Sequence, residues 1–264
     1  MKKTLIIQLE RLGDLIQTTP FLSEYRTIFT DEEIHLLVLK ETCEAIEGFH
    51  AVDQIHPVAQ KKVTEFNSKI NSNKTEVHPE AEALLEELRL DNFDKLINFT
   101  HDAFGCWLAH RIKASCKEGG LLTESGEWLW QGDWHAYLLA VPDFRDRNYF
   151  NLVDIYRGAG PSKTVRLDRH GYVAISQDNS IRLPKGKLIA LNPGASRVER
   201  CWPSSNFSAL ADLLSENGFQ PILVGSPSDL EICEDVQKNV KKRLTCFAGK
   251  TSIKEMAYIL AKCY

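Results

Sequence analysis

Apolar residues in this chain come in short unbroken runs, each followed by a polar turn and then by a stretch whose apolar positions recur every three or four places. The first run, Leu5, Ile6, Ile7 and Leu9, has the aliphatic, β-branched character of a strand buried on both faces. Similar runs at 34–39, 52–56 and 95–99 alternate with helical patterns at 59–66, 79–90, 104–111 and 151–159. That rhythm predicts a parallel sheet covered by helices on both faces, a Rossmann-like domain over residues 1–165. The polar stretch 69–75, containing NSNKT, is expected to be a mobile loop. Residues 162–184 are polar and weakly periodic and read as a connection between domains. Beyond them strand and helix patterns alternate at 188–191, 206–217, 221–224, 229–239, 244–247 and 253–262. The second domain, 185–264, therefore reads as about half of a doubly wound unit, with an open sheet edge.

Composition adds bounds. A 264-residue chain that is 43% hydrophobic can form two modest cores. A net charge of −4, with both signs interspersed, argues against a general nucleic-acid binder. Seven cysteines lie scattered without CxxC spacing and read as reduced cytosolic thiols. The N-terminus starts like a signal peptide, but Glu10 and Arg11 end its apolar run too early, and no segment has the length of a membrane span. A soluble, cytoplasmic protein is expected, with at most peripheral membrane contact. Trp128, Trp130 and Trp134 fall close together and read as packing. Nothing in the sequence fixes an oligomeric state.

The candidate chemistry lies where strands end. After the first strand, Gly13 is expected to relax the backbone and Asp14 to begin a helix. Asp14 is either a helix cap or a catalytic carboxylate at a cleft mouth. After the strand at 188–191 come Asn192, Pro193, Gly194, Ala195 and Ser196, then Arg197 and Arg200. Small residues allow close backbone approach, the arginines offer forked donors to phosphate, and the following helix can point its positive end at the same anion. Gly225 and Ser226 end another strand, with Asp229 just beyond as a helix N-terminal charge or a ligand contact. His101 and Asp102 follow the fourth strand without partners at metal-ligand spacing, so no metal site is expected and the two could face an acceptor. Neither strand-end loop has the G-x-G-x-x-G spacing of a dinucleotide dehydrogenase.

Taken together, ERLGDLIQTTPFL, FDKLINFTHD, NPGASRVERCWP, ILVGSPSD and AGKTSIKEMAYILAKC occur in the order in which glycosyltransferase family 9, the heptosyltransferase group, carries similar segments. The chain resembles that family over most of its length. The resemblance implies a GT-B fold, two Rossmann-like domains facing across a cleft, with the nucleotide diphosphate sugar held mainly by the second. It implies Asp14 as the base and Asn192, Gly194, Ser196, Arg197, Arg200, Gly225 and Asp229 on the donor side. Arg200 stands where the family commonly has Lys, which keeps the charge and adds a planar fork. Gly13, His101 and Asp102 are then acceptor-side candidates.

The family normally continues with a further strand and a closing loop, so the second domain is expected to be truncated and the chain incomplete for catalysis. The activity implied is inverting, metal-independent transfer from a donor such as ADP-heptose to a lipopolysaccharide-core or other lipid-linked glycan. A nucleotide-sugar epimerase of the same architecture and a catalytically inert sugar-nucleotide or glycan binding protein are the alternatives.

Overall fold

The computed structural model describes residues 1–70, 79–88, 92–161, 171–176, 181–195 and 197–264. The loop expected over 69–75 therefore lies largely outside the described residues, as does much of the connection expected over 162–184. The chain divides into two compact units, Met1–Tyr172 and Val173–Tyr264. The class is α/β, with parallel strands at the core of both.

In the first unit, β1 (Lys3–Gln8), β2 (Glu33–Leu39), β3 (Gln54–Val58), β4 (Phe93–Asn98), β5 (Ala114–Leu122) and β6 (Trp128–Gln131) form one sheet in the order β3-β2-β1-β4-β5-β6. All pairings are parallel except the edge pair β5–β6. The helices are α1 (Leu12–Ile28), α2 (Gln60–Ile70), α3 (Pro79–Leu88), α4 (Ala103–Arg111), α5 (Asp133–Ala140) and α6 (Leu152–Gly158). The unbroken apolar runs have a direct cause. Leu5 and Ile7 enter one core with Leu37, Phe104 and Trp107, while Ile6 enters another with Leu36, Phe21 and Phe99. Successive side chains point to opposite faces, and both faces are buried.

The chain leaves β1 towards β2 and β3, then returns to place β4 on the other side of β1. That reversal makes a crevice at the carboxyl ends of β1 and β4, where ligands bind in open α/β sheets. Three backbone or side-chain ties hold the two strand ends together. Phe99 N–H donates to Ile7 O at 2.9 Å, Leu9 N–H to Thr100 Oγ1 at 2.8 Å, and His101 N–H to Glu10 Oε1 at 3.1 Å.

Helix α1 carries Pro20 in its interior, which leaves the Ile16 carbonyl without its usual N–H donor. The Thr19 hydroxyl donates to that carbonyl at 2.7 Å and accepts the Tyr172 N–H at 2.7 Å. Thr18 Oγ1 donates to Asp14 O and accepts from Gln8 Nε2, which locks the first turns of α1 to the end of β1. Helix α6 is fixed to α1 by the buried pair Arg157–Glu24 at 3.5 Å.

Three elements differ from the sequence expectation: strands β5 and β6 and helix α5 were not foreseen. Trp128 and Trp130 lie on β6 with rings stacked 6.2 Å apart, and Trp130 packs on the first core. Trp134 lies on α5, edge-on to Phe150 at 5.3 Å, in contact with the second core.

The second unit is a three-stranded parallel sheet, β7 (Lys187–Leu191), β8 (Phe219–Leu223) and β9 (Thr245–Cys246), in that order. Helices α7 (Ser204–Glu216) and α8 (Leu230–Asn239) follow β7 and β8, and α9 (Ile253–Ala261) closes the chain. Leu191, Leu223, Cys233 and Val236 build the core on one face, and Leu188, Ile222, Val224 and Ile259 the core on the other.

Buried histidines make the first unit acid-sensitive. His135 is 3% exposed, its Nε2 has no hydrogen-bond partner among the described residues, and burial brings its pKa down to about 4. Burial also lowers His56 to about 4, with a smaller push from His35, which lies 2.8 Å away, nitrogen to nitrogen. The unfolded chain, titrating near 6.5, binds more protons than the folded chain between the two values, so stability falls as pH falls through that window. For His135 alone the loss between pH 7 and pH 5 is about 2 kcal/mol. Differential scanning calorimetry at the two pH values should show a lower Tm at pH 5, and His135→Phe should remove part of the slope. Equal melting temperatures for the native chain would contradict this account.

Candidate functional site

The crevice at the ends of β1 and β4 opens into a cavity of about 370 Å³ whose lining includes Glu10, Asp14, His101, Arg145, Asn148 and Tyr156. The apolar part of its wall comes from Leu138, Val141, Pro142 and Leu152. Two carboxylates, an imidazole and a guanidinium thus face one partly apolar space, the composition expected of a small-molecule site.

Asp14 is not the cap of α1. The helix starts at Leu12 with Arg11 as its N-cap residue, and Asp14 is third in the helix. From there its carboxylate reaches back to the Arg11 backbone N–H, as an acidic residue does in the returning half of a capping box. Gly13 is also helical, without positive φ, and a Cβ at that position would meet nothing within 4 Å. It does not relax a turn, and neither its backbone angles nor close packing requires a glycine there.

Electrostatics separate the two carboxylates. Burial raises the pKa of Asp14, the charge of Glu10 raises it further, and the Arg11 N–H, Arg11 charge and His101 offset only part of this. Burial would raise Glu10 too, but its bonds and charge contact with His101 outweigh it and hold Glu10 low. The imidazole Nδ1 of His101 is 3.6 Å from Glu10 Oε1. Tyr156 is pushed up by burial and then by Asp14, so its phenol stays protonated and its hydroxyl bonds the Gln8 side chain.

Asp102 plays a different part from His101. It is the N-cap of α4, accepting the Gly105 N–H at 2.7 Å, and burial raises its pKa. It is not among the residues lining the cavity.

In the second unit, Asn192, Pro193 and Gly194 follow β7, and Gly225 and Ser226 follow β8. These parallel neighbours bring the two loops side by side. Asp229 ties them together. Its Oδ2 accepts the Ser226 N–H and the Ser226 hydroxyl, each at 2.7 Å, and a Cβ added at Gly194 would collide with its carboxyl group. Asp229 is thus engaged in building the loop pair. Arg197 and Arg200 are exposed, joined through a turn in which Arg200 N–H donates to Arg197 O at 3.0 Å. No ion pair involves either guanidinium among the described residues. Ser196 lies outside the described residues.

Glu10, Arg145 and Tyr156 escaped sequence reasoning as site residues. Glu10 was visible inside ERLGD, three residues before Gly13. Arg145 and Tyr156 come from segments more than 130 residues downstream and had no motif to mark them. Among the described residues no group of His, Cys, Asp and Glu has the arrangement of a metal site.

The profile of glycosyltransferase family 9 (heptosyltransferase) matches residues 81–264. Lipopolysaccharide heptosyltransferase 3 of Escherichia coli K12 is 21% identical over 257 residues, which cover 94% of this chain and 71% of that protein. Among solved structures, a glycosyl transferase family 9 protein from Veillonella parvula superposes with a TM-score of 0.71 at 19% identity, covering 99% of this chain and 73% of the other. The E. coli heptosyltransferase WaaC, solved with ADP-2-deoxy-2-fluoro heptose, gives 0.68 at 18% identity, covering 99% and 80%. The fold is that of these GT-B-like enzymes.

Proposed function

Because the chain belongs to glycosyltransferase family 9, we propose that it moves heptose from ADP-heptose to a glycan of the lipopolysaccharide core, with inversion at the transferred carbon. The observation that carries the reading is the cavity at the β1/β4 crossover, where Asp14 faces a partly open space with its proton affinity raised. An acceptor hydroxyl placed there loses its proton to the Asp14 carboxylate as its oxygen attacks the anomeric carbon of the heptose. The bond to ADP breaks on the opposite face, and the departing diphosphate takes the electron pair. Such a step needs a base on the nucleophile and positive charge on the leaving group.

Arg197 and Arg200 supply the second requirement. Neither is in an ion pair among the described residues, and both follow a strand-end loop of small residues onto which a diphosphate backbone can settle. The N-terminus of α7 follows the same loop and favours an anion. WaaC was solved with an ADP-sugar, which supports this choice of donor. No helix among the described residues is long and apolar enough to cross a membrane, and we place the reaction at the cytoplasmic face with peripheral contact to the lipid-linked acceptor.

The test is incubation with ADP-heptose and a lipopolysaccharide core lacking its outer heptoses. The expected result is release of ADP with an equal gain of heptose mass on the acceptor. Binding of ADP-heptose without transfer would overturn the enzymatic reading, and conversion of the sugar without an acceptor would point to an isomerising activity.

A further inference from the structure

We propose that Glu10 is a positioning residue for Asp14: anchored by His101 across the two strand-end turns, its carboxylate faces the same cavity and acts on Asp14 through its charge. The inference rests on the reading of Asp14 as the base and adds a residue that acts through it.

The geometry is specific. Glu10 sits in the turn between β1 and α1, and His101 in the turn between β4 and α4. One oxygen, Glu10 Oε1, takes the His101 backbone N–H at 3.1 Å and lies 3.6 Å from His101 Nδ1. The side chain of Glu10 is only 30% exposed, so its charge is partly desolvated and lies where Asp14 also loses water. Two carboxylates in one cavity oppose each other's ionisation. A neutral glutamine would serve equally as acceptor for the His101 N–H. What the glutamate adds is the charge, and His101 keeps that charge in place by holding Glu10 ionised.

The other charged or titratable groups facing Asp14 come from every element around the cavity: Arg11 in the same turn, His101 from the β4–α4 turn, Arg145 after α5, and Tyr156 on α6. Arg11 and His101 pull the proton affinity of Asp14 down, while burial and Glu10 push it up, and the upward pair prevails. A general base gains from a pKa closer to the working pH, provided it remains ionised. Glu10 moves Asp14 in that direction.

The direct test is a carboxyl ¹³C NMR titration of the protein labelled in Asp and Glu. In the native chain, Asp14 should titrate above the ordinary aspartate value and Glu10 below the ordinary glutamate value. In Glu10→Gln the Asp14 curve should move down, because the neighbouring negative charge that opposes its ionisation is gone. Glu10→Asp retains the charge and should recover part of the displacement. An Asp14 titration at the ordinary aspartate value in the native chain, or one unmoved in Glu10→Gln, would overturn the proposal. The native-chain titration decides the matter even if Glu10→Gln does not fold.

The acidic limb of kcat/KM for heptose transfer provides the separate check on Asp14. If the NMR midpoint moves in Glu10→Gln and the acidic limb stays where it was, the coupling between the carboxylates stands and the assignment of Asp14 as base falls.

Discussion

Asp14→Asn should lower kcat for heptose transfer by about 10²- to 10⁴-fold while leaving the fold and donor affinity nearly unchanged. The substitution removes only the proton-accepting oxygen. An asparagine at the third position of α1 keeps an acceptor for the Arg11 N–H, so the helix start is preserved. Gly13 on one side presents open space, and the neighbouring threonine bonds that fix α1 to β1 run through the Asp14 backbone carbonyl and the Gln8 side chain, which the change does not touch. Initial rates at saturating ADP-heptose and acceptor, with thermal melts of both proteins, make the comparison. Equal rates would place proton removal elsewhere, with His101 on the same cavity the next candidate.

The second large effect concerns affinity. Replacing Arg197 and Arg200 by Ala should weaken ADP-sugar binding by roughly 1 to 3 kcal/mol for each side chain, the scale of hydrogen bonds to charged groups. Both guanidiniums are exposed, so their loss should leave the free energy of unfolding within about 0.5 kcal/mol of the parent. Isothermal calorimetry with ADP would read the change, and raising the salt concentration should narrow the difference between parent and double variant. Unchanged affinity in the double variant would assign both arginines to the solvated surface.

The elements that could be read from the chain were those whose burial agrees with local preference. Strands β1, β2 and β4 announce themselves because both faces are covered, and α7, α8 and α9 because one face of each meets a small sheet. Strand β5 hid behind its composition. Its Gly119 has φ +101°, and a Cβ there would collide with the Asn98 carbonyl oxygen of β4. Gly120 fits against Cys106 and the Trp130 ring. Close approach of the neighbouring backbone demands glycine in a place where strand propensity disfavours it. Strand β6 was obscured because its tryptophans suggested packing without indicating the element that carries them.

The same distinction holds at the site. The β1–α1 junction was legible because a buried strand runs straight into a glycine and an acid. The His101–Glu10 contact was not, since it depends on β4 returning beside β1, a pairing that no local pattern encodes. Asp102 has a local role that the sequence reading did not mark. Its sequence neighbourhood suited an acceptor-facing acid, but the first turn of α4 needs its carboxylate as a cap.

The return of β4 to the flank of β1 also orders events during synthesis. Lys3 and Asp94, Leu9 and Thr100, and Glu10 and His101 are each 91 residues apart. Translation at about 5 to 20 residues per second leaves the free edge of β1 waiting roughly 5 to 20 seconds for that partner. Through that interval β1 and β2 can already be paired, yet one edge of a strand destined for burial on both faces is open to other chains. When β4 arrives it seals that edge and brings His101 to Glu10, while the rest of the cavity wall, Leu138 to Tyr156, is still to be made.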